Sequence, residues 1–244
     1  MRAVWIITRR ELASIFTSPV AYVFLVIFLL LNGFFTFTAG GFFERGEASL
    51  AAFFIWHPWL YLVLVPAVGM RVWAEERRAG TLELLLTMPI EAWQAILAKF
   101  LATWLFLALA LALTFPAVVT VNVLGDPDNG QIFAGYVGSF LLAGAYLAIT
   151  CMTSAMTRNQ VVAFIVSVVL CLFLILAGFN PITDLLTRWA SPGFVDAVAG
   201  FSVMTHFESF QRGVIALRDF VFFASVIGFA LFATGVILRN HRAG

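Results

Sequence analysis

The chain has 244 residues, 62% of them hydrophobic and only 11% charged, with a net charge of +1 and a mean hydropathy of +1.01. A soluble domain carries about 25% charged residues, so this composition argues against a water-soluble fold, and the near-zero charge argues against nucleic acid or a polyacidic partner. The 27 Phe and 7 Trp exceed what a core of this size holds, and lipid is the simplest solvent for that surface. No stretch is polar enough to fold separately in water, which leaves one all-α integral membrane domain over residues 1–244.

Residues 1–18 predict an amphipathic helix lying in the interface plane. At 100° per residue Met1, Val4, Trp5, Leu12, Ile15 and Phe16 share one arc, Arg2, Arg9 and Arg10 lie off it, and Ile6 breaks the pattern. Ser18-Pro19 then turns the chain into the membrane. A plain anchor is the simplest role for such a helix.

Six runs contain no Asp, Glu, Lys or Arg: 19–43, 48–70, 100–125, 129–157, 159–183 and 220–238. About 20 apolar residues cross the hydrocarbon core as a helix, and continuous rather than alternating hydrophobicity selects helices over a barrel. Spans are therefore expected at 19–41, 50–74, 98–124, 131–157, 159–182 and 219–239. The first run is too long for the h-region of a cleaved signal peptide. Asn32, the one amide deep in the first span, suggests an interhelical hydrogen bond. Trp56, Trp59 and Tyr61 mark one end of the second span and Trp73 the other, as interfacial belts do. Pro66 and Pro116 fall within spans, where neighbouring helices must re-satisfy the backbone. Cys151 and Cys171 read as helical core positions.

An even number of spans places both termini on one side. That side holds Arg2, Arg9, Arg10, Arg71, Arg77, Arg78, Lys99, Arg158, Arg239 and Arg242, and the other holds Arg45, Arg188, Arg212 and Arg218. The excess predicts cytoplasmic termini, with 44–47 and 126–129 facing outward.

Residues 75–92 join the second and third spans. Glu75, Glu76, Arg77 and Arg78 extend the second span into water, and Gly80 ends that helix. Thr81 can cap a short following helix with Glu83 in its first turn. Leu82, Leu84, Leu85 and Leu86 make that turn very apolar, and Pro89 stops it. Two turns of leucine cannot cross a bilayer and need a cover, either a partner surface or the lipid interface.

Residues 183–217 are too long for a turn and too charged to span, and they predict an amphipathic hairpin on or dipping into the outer leaflet. Thr205-His206-Phe207-Glu208 has the capping-box form. Phe207, Phe210, Val214 and Leu217 follow at helical spacing, with Glu208 and Arg212 paired i,i+4. His206 reads as part of the capping loop, not as a metal ligand, since no second His lies nearby. No metal site and no cofactor are expected in this chain.

The residues also exclude several chemistries. The only lysine sits in Ala95-Ile96-Leu97-Ala98-Lys99 without the glycine loop that cradles phosphates, so ATP hydrolysis by this chain alone is not expected. No His-Glu-x-x-His, paired-Cys motif or intramembrane acidic pair is present, and uncharged spans argue against an ion-coupled carrier. A passive channel would need a polar lining. Energy for any uphill work must come from another chain.

The order of elements resembles the permease subunit of ABC-2-type (type V exporter fold) transporters. The string Glu76-Arg77-Arg78-Ala79-Gly80-Thr81-Leu82-Glu83-Leu84-Leu85-Leu86-Thr87-Met88-Pro89-Ile90 is similar to that family's coupling segment. Arg9-Arg10-Glu11-Leu12, Ser18-Pro19-Val20-Ala21-Tyr22 and Thr205-His206-Phe207-Glu208-Ser209-Phe210-Gln211-Arg212-Gly213 resemble its gliding-motility and nitrous-oxide-reductase-maturation branches. The resemblance implies six transmembrane helices with an N-terminal interfacial helix, a cytoplasmic coupling helix and a re-entrant hairpin before the last span. It implies a separate ATP-binding-cassette subunit that binds ATP and Mg, and a second permease copy, identical or related. A bacterial inner-membrane location follows, with an accessory protein on the far side as a further possible partner. In such dimers the second and fifth spans line the pathway. Both are apolar here, which suits export of a lipidic or amphiphilic cargo. The alternative is a transmitter of ATPase motion to an extracytoplasmic partner without cargo.

Overall fold

The computed structural model describes residues 2–81, 91–179, 181, 187 and 192–240, and every regular element among them is helical. Four helical stretches are long and apolar enough to cross a membrane: Pro19–Glu44, Ala92–Leu124, Asn129–Met156 and Leu217–Arg239. The chain is thus a multi-pass membrane protein. Helix α1 (Arg2–Thr17) precedes α2 (Pro19–Phe34), whose start is fixed by Pro19 at its first turn and by Ser18, whose hydroxyl accepts from Val20 N. A π turn over Phe35–Ala39 extends α2, and a short α3 (Phe42–Arg45) follows.

The expected second span is not one helix. It is divided into α4 (Ala51–Ile55), α5 (His57–Gly69) and α6 (Arg71–Ala79). Pro58 opens α5, and Pro66 inside it lacks the N–H that would reach Leu62 O; the helix still runs to Gly69, Met70 N closes its last turn on Pro66 O, and the chain breaks at Met70. The neighbouring helix repairs that break. Ser154 Oγ donates to Met70 O at 2.8 Å and accepts from Trp73 N at 3.1 Å and Ala74 N at 2.9 Å. The third stretch likewise divides into α7 (Ala92–Ala112) and α8 (Phe115–Leu124), with Pro116 in the first turn of α8.

Helix α9 (Asn129–Met156), capped by Asp128, is the centre of the bundle and is buried along most of its length. Small residues permit this. A Cβ at Gly138 would stand 2.6 Å from Phe210 Cβ, and one at Gly144 would stand 2.7 Å from the Trp104 ring, the close approach that small residues allow between membrane helices. Around α9 pack α5, α6, α7, α10 (Gln160–Leu176), α12 (Val203–Gln211) and α13 (Leu217–Asn240). Helix α10 has 17 residues, fewer than the four long stretches. Helices α2, α10 and α13 turn many large apolar side chains outward, as lipid-facing helices do. Cys151 and Cys171 are both buried and unpaired.

Four local expectations change. Helix α1 packs on α7 through Val4 and Thr8, whose hydroxyl reaches Ala98 O at 3.3 Å, while Trp5 is 62% exposed. Most of the apolar arc does face the bundle, since Val4 is buried and Leu12, Ile15 and Phe16 pack against the core, and Trp5 is the member left out of it. Among the described residues Asn32 makes no interhelical bond: its Nδ2 donates to Phe28 O of its own helix at 2.9 Å, and its buried Oδ1 has no partner there. Tyr61 and Trp73 are buried in protein rather than set in an interfacial belt, because α9 covers α5 and α6 there.

The fourth concerns the hairpin, whose described helices are α11 (Pro192–Ala199) and α12. Thr205 does not cap α12. Ser202 does, accepting from Met204 N at 3.1 Å, and Thr205 lies exposed inside the helix. Starting at Val203 buries Val203, Phe207 and Phe210 together, which a start after Thr205 would forfeit. The apolar face also stops early. Gly213 adopts φ +80°, a left-handed conformation that ends the helix, so Val214 and Leu217 are exposed. Glu208 and Arg212 do pair, at 3.6 Å.

Candidate functional site

Helices α6 and α7 are the arms that enter and leave residues 82–90. Leu82, Glu83, Leu84, Leu85, Leu86 and Pro89, the apolar core of the expected coupling helix, lie outside the described residues. Helix α6 ends at Gly80, at φ 71°, whose N–H returns to Glu76 O. The Thr81 hydroxyl also turns back, donating to the Glu76 carboxylate and to Glu76 O. Helix α7 begins at a reciprocal box in which the Glu91 side chain accepts from the backbone of Gln94, and Glu91 N donates to Gln94 Oε1. The Trp93 indole N–H also reaches the Glu91 carboxylate.

Between the arms lies the only lysine of the chain. Lys99 Nζ sits 3.1 Å from Glu11 Oε2 and 3.0 Å from Glu76 Oε1, with the Trp73 ring centroid 5.7 Å away. Its side chain is 7% exposed. A buried ammonium is costly unless paired and hydrogen-bonded, and here two carboxylates and an aromatic face meet that demand. Burial acts to raise the Glu76 carboxyl, but Lys99, Thr81 and Arg10 together hold it below the usual carboxylate range. A depressed carboxyl contributes stability above its unfolded range and loses it as pH falls through the folded value. The pair therefore persists at neutral pH and loosens only in acid.

The remaining predicted residues divide. Arg77 Nη1 donates to Ala155 O at 2.6 Å, satisfying a carbonyl at the end of α9. Burial, and then Arg158, lower the Arg77 guanidinium from its ordinary range. Glu75 is exposed and makes no ion pair among the described residues. The structure thus joins Glu76 and Arg77 to the bundle, holds Gly80 and Thr81 to Glu76 of their own helix, and adds Glu11 and Lys99, which sequence reasoning had not grouped. The one signal for them was a lone lysine opening an apolar run.

At the opposite end the hairpin helix α12 docks on α9 and α13. Phe207 and Phe210 are buried in the core, and Gln131 Nε2 donates to Gln211 O at 2.6 Å. His206 is no loop residue. It is buried inside α12, stacked on Phe222 at 3.9 Å, with Nδ1 2.6 Å from Asp219 Oδ1 and Nε2 3.1 Å from Gly200 O. The ring is thus held from both nitrogens, between a carboxylate and a backbone carbonyl. Among the described residues no group of three or more His, Cys, Asp or Glu is arranged to hold a metal ion.

Residues 60–193 match the model of a family described as ABC-2 family transporter protein. The chain is also 31% identical over 162 residues to the probable ABC transporter permease protein NosY of Pseudomonas aeruginosa, an alignment covering 64% of this chain and 58% of that relative.

Proposed function

From the chain's membership of the ABC-2 family of transporter proteins, we propose that it is the membrane-spanning permease subunit of an ATP-binding-cassette transporter. A separate ATPase subunit, which binds ATP and Mg, supplies the energy. The observation that carries this reading is the pinning of both arms of residues 82–90 to the bundle through Lys99, Glu76 and Glu11. A segment moved by an ATPase transmits force only if its flanking helices are held to the membrane part, and these are.

The proposal includes six spans: α2 with its π turn, the broken α4–α6 unit, α7 with α8, α9, α10, and α13. Both termini then face the cytoplasm of a bacterial inner membrane, in keeping with the arginine asymmetry. Two copies, or this chain and a related permease, form a pathway for a lipidic or amphiphilic cargo. The alternative, force transmission to an extracytoplasmic accessory protein, calls for a free working surface on the hairpin. The burial of Val203, His206, Phe207 and Phe210 in the bundle favours transport.

Two measurements test this reading. Cysteines placed at Ser49 and Asp128 are expected to react with an impermeant reagent from outside intact cells, and reaction only after permeabilisation would overturn the topology. The purified chain alone is expected to show no ATP turnover, whereas co-expression with its ATP-binding subunit yields a stable, ATP-hydrolysing complex. Turnover by the contaminant-free chain would sink the claim that energy arrives in trans.

A further inference from the structure

A cavity of about 390 Å³ opens where α1 bends into α2, walled on the other sides by α5, α6 and α7. Its size falls within the range of about 300–1,000 Å³ typical of ligand pockets. We propose that it binds the headgroup of a zwitterionic phospholipid, one carrying an anionic phosphate and a primary ammonium. The inference rests on the reading that α1 lies at the bilayer interface.

The charges of the wall carry the argument. Lys99, Glu11 and Glu76 all line the cavity, but they satisfy one another. Two charged residues are left over, Arg71 and Glu75. Neither makes an ion pair or a side-chain hydrogen bond among the described residues, and Arg71 Nε is buried without a partner. They stand one turn apart on α6, with Cβ atoms about 5–6 Å apart, a spacing on the scale of the phosphate–amine separation in phosphoethanolamine. A phosphate oxygen would accept from Arg71, whose guanidinium fork suits phosphate. An ammonium would meet the Glu75 carboxylate. The Ser14 and Ser18 side chains face the same space from the α1–α2 bend.

The apolar part of the wall selects a lipid over a soluble phosphorylated amine. Ala21, Phe24, Val68 and Phe106 form it. Val20 belongs both to the cavity and to the outward face of α2, where Val23 and Ile27 are also exposed. Acyl chains leaving the cavity along that face run directly onto apolar surface. A phosphatidylglycerol headgroup would satisfy Arg71 but offer Glu75 no cation, so discrimination between the two lipids is expected to depend on Glu75.

Native mass spectrometry of the detergent-purified full chain, with added dioleoyl phosphatidylethanolamine, dioleoyl phosphatidylglycerol or soluble phosphoethanolamine, tests this. The expected result is one phosphatidylethanolamine per chain, preferred over phosphatidylglycerol and not displaced by equimolar phosphoethanolamine. Arg71→Gln is expected to weaken retention about tenfold, and Glu75→Gln to erase the preference between the lipids. Retention at the wild-type level by Arg71→Gln overturns the proposal, as does an unchanged preference in Glu75→Gln or displacement by phosphoethanolamine. Glu75 is exposed, so its variant keeps the fold and decides the matter alone if Arg71→Gln does not fold. Labelling of Ser14→Cys in vesicles of known orientation reports separately which side α1 occupies. Wrong-side labelling with lipid retention intact overturns the topology and leaves the site standing.

Discussion

Leu85→Asp is expected to abolish co-purification of the ATP-binding subunit while leaving the permease in the membrane. Leu84, Leu85 and Leu86 are too apolar to face water, and in the proposed transporter some of them fill a groove on the ATPase. Burying one leucine contributes roughly 1.5–3 kcal/mol, and a carboxylate in that groove must be desolvated or expelled. The combined penalty exceeds what a small docking contact tolerates. Membrane insertion is expected to be unaffected, because in the proposed topology the residue belongs to no span. Gly80→Val is expected to act in the same direction, since Gly80 holds φ 71°, where a β-branched side chain is strained. The measurement is the yield of ATPase subunit retained by tagged permease at matched expression. Wild-type yield with both Leu84→Asp and Leu85→Asp would reduce the segment to a lipid-facing helix and remove the main support for ATPase docking.

Lys99→Met should be the most damaging single change outside the leucines. It leaves Glu11 and Glu76 facing each other across the space where both met one ammonium at 3.0–3.1 Å. Removing one member of a buried pair costs about 3–5 kcal/mol. Both carboxylates here keep some contact with water, so a loss of about 2–3 kcal/mol is expected. Thermal unfolding of the purified chain reads it as a lowered midpoint. The neutral triple variant Lys99→Met with Glu11→Gln and Glu76→Gln should recover most of the loss, because no unpaired charge remains. A single variant as stable as wild type would show that the three residues are neighbours without energetic consequence. A triple variant that is stable but fails to couple ATP hydrolysis to function would assign the cluster to force transmission rather than to folding.

The membrane class was legible because hydropathy is a sum over many residues and survives local irregularity. Gly80 and the Glu208–Arg212 pair were legible because each depends on a local backbone rule. The Lys99 cluster was not, since its partners stand 88 and 23 positions away and no periodicity links them. Two rival caps three residues apart, Ser202 and Thr205, both satisfy local chemistry. Burial of Val203, Phe207 and Phe210 against α9 and α13 decides between them, and that is a tertiary quantity. Trp73 misled for the same reason: an aromatic near a span end looks interfacial until a neighbouring helix covers it. Asn32 shows the converse, a polar side chain that found its partner one turn back rather than on another helix.

The Ser154 hydroxyl that bridges Met70, Trp73 and Ala74 makes the junction of α5 and α6 a fulcrum. Helix α6 spans nine residues from it, about 13 Å of rigid arm at 1.5 Å per residue. A tilt of about 10° at the fulcrum would displace the Gly80 end by about 2 Å, and it must break the Glu76–Lys99 and Arg77–Ala155 contacts that tie the same arm to α7 and α9. The fulcrum sits on α9, the helix that the rest of the bundle encloses. A push delivered at Gly80 therefore reaches α7 and α9 through those two contacts before it reaches the Met70 junction.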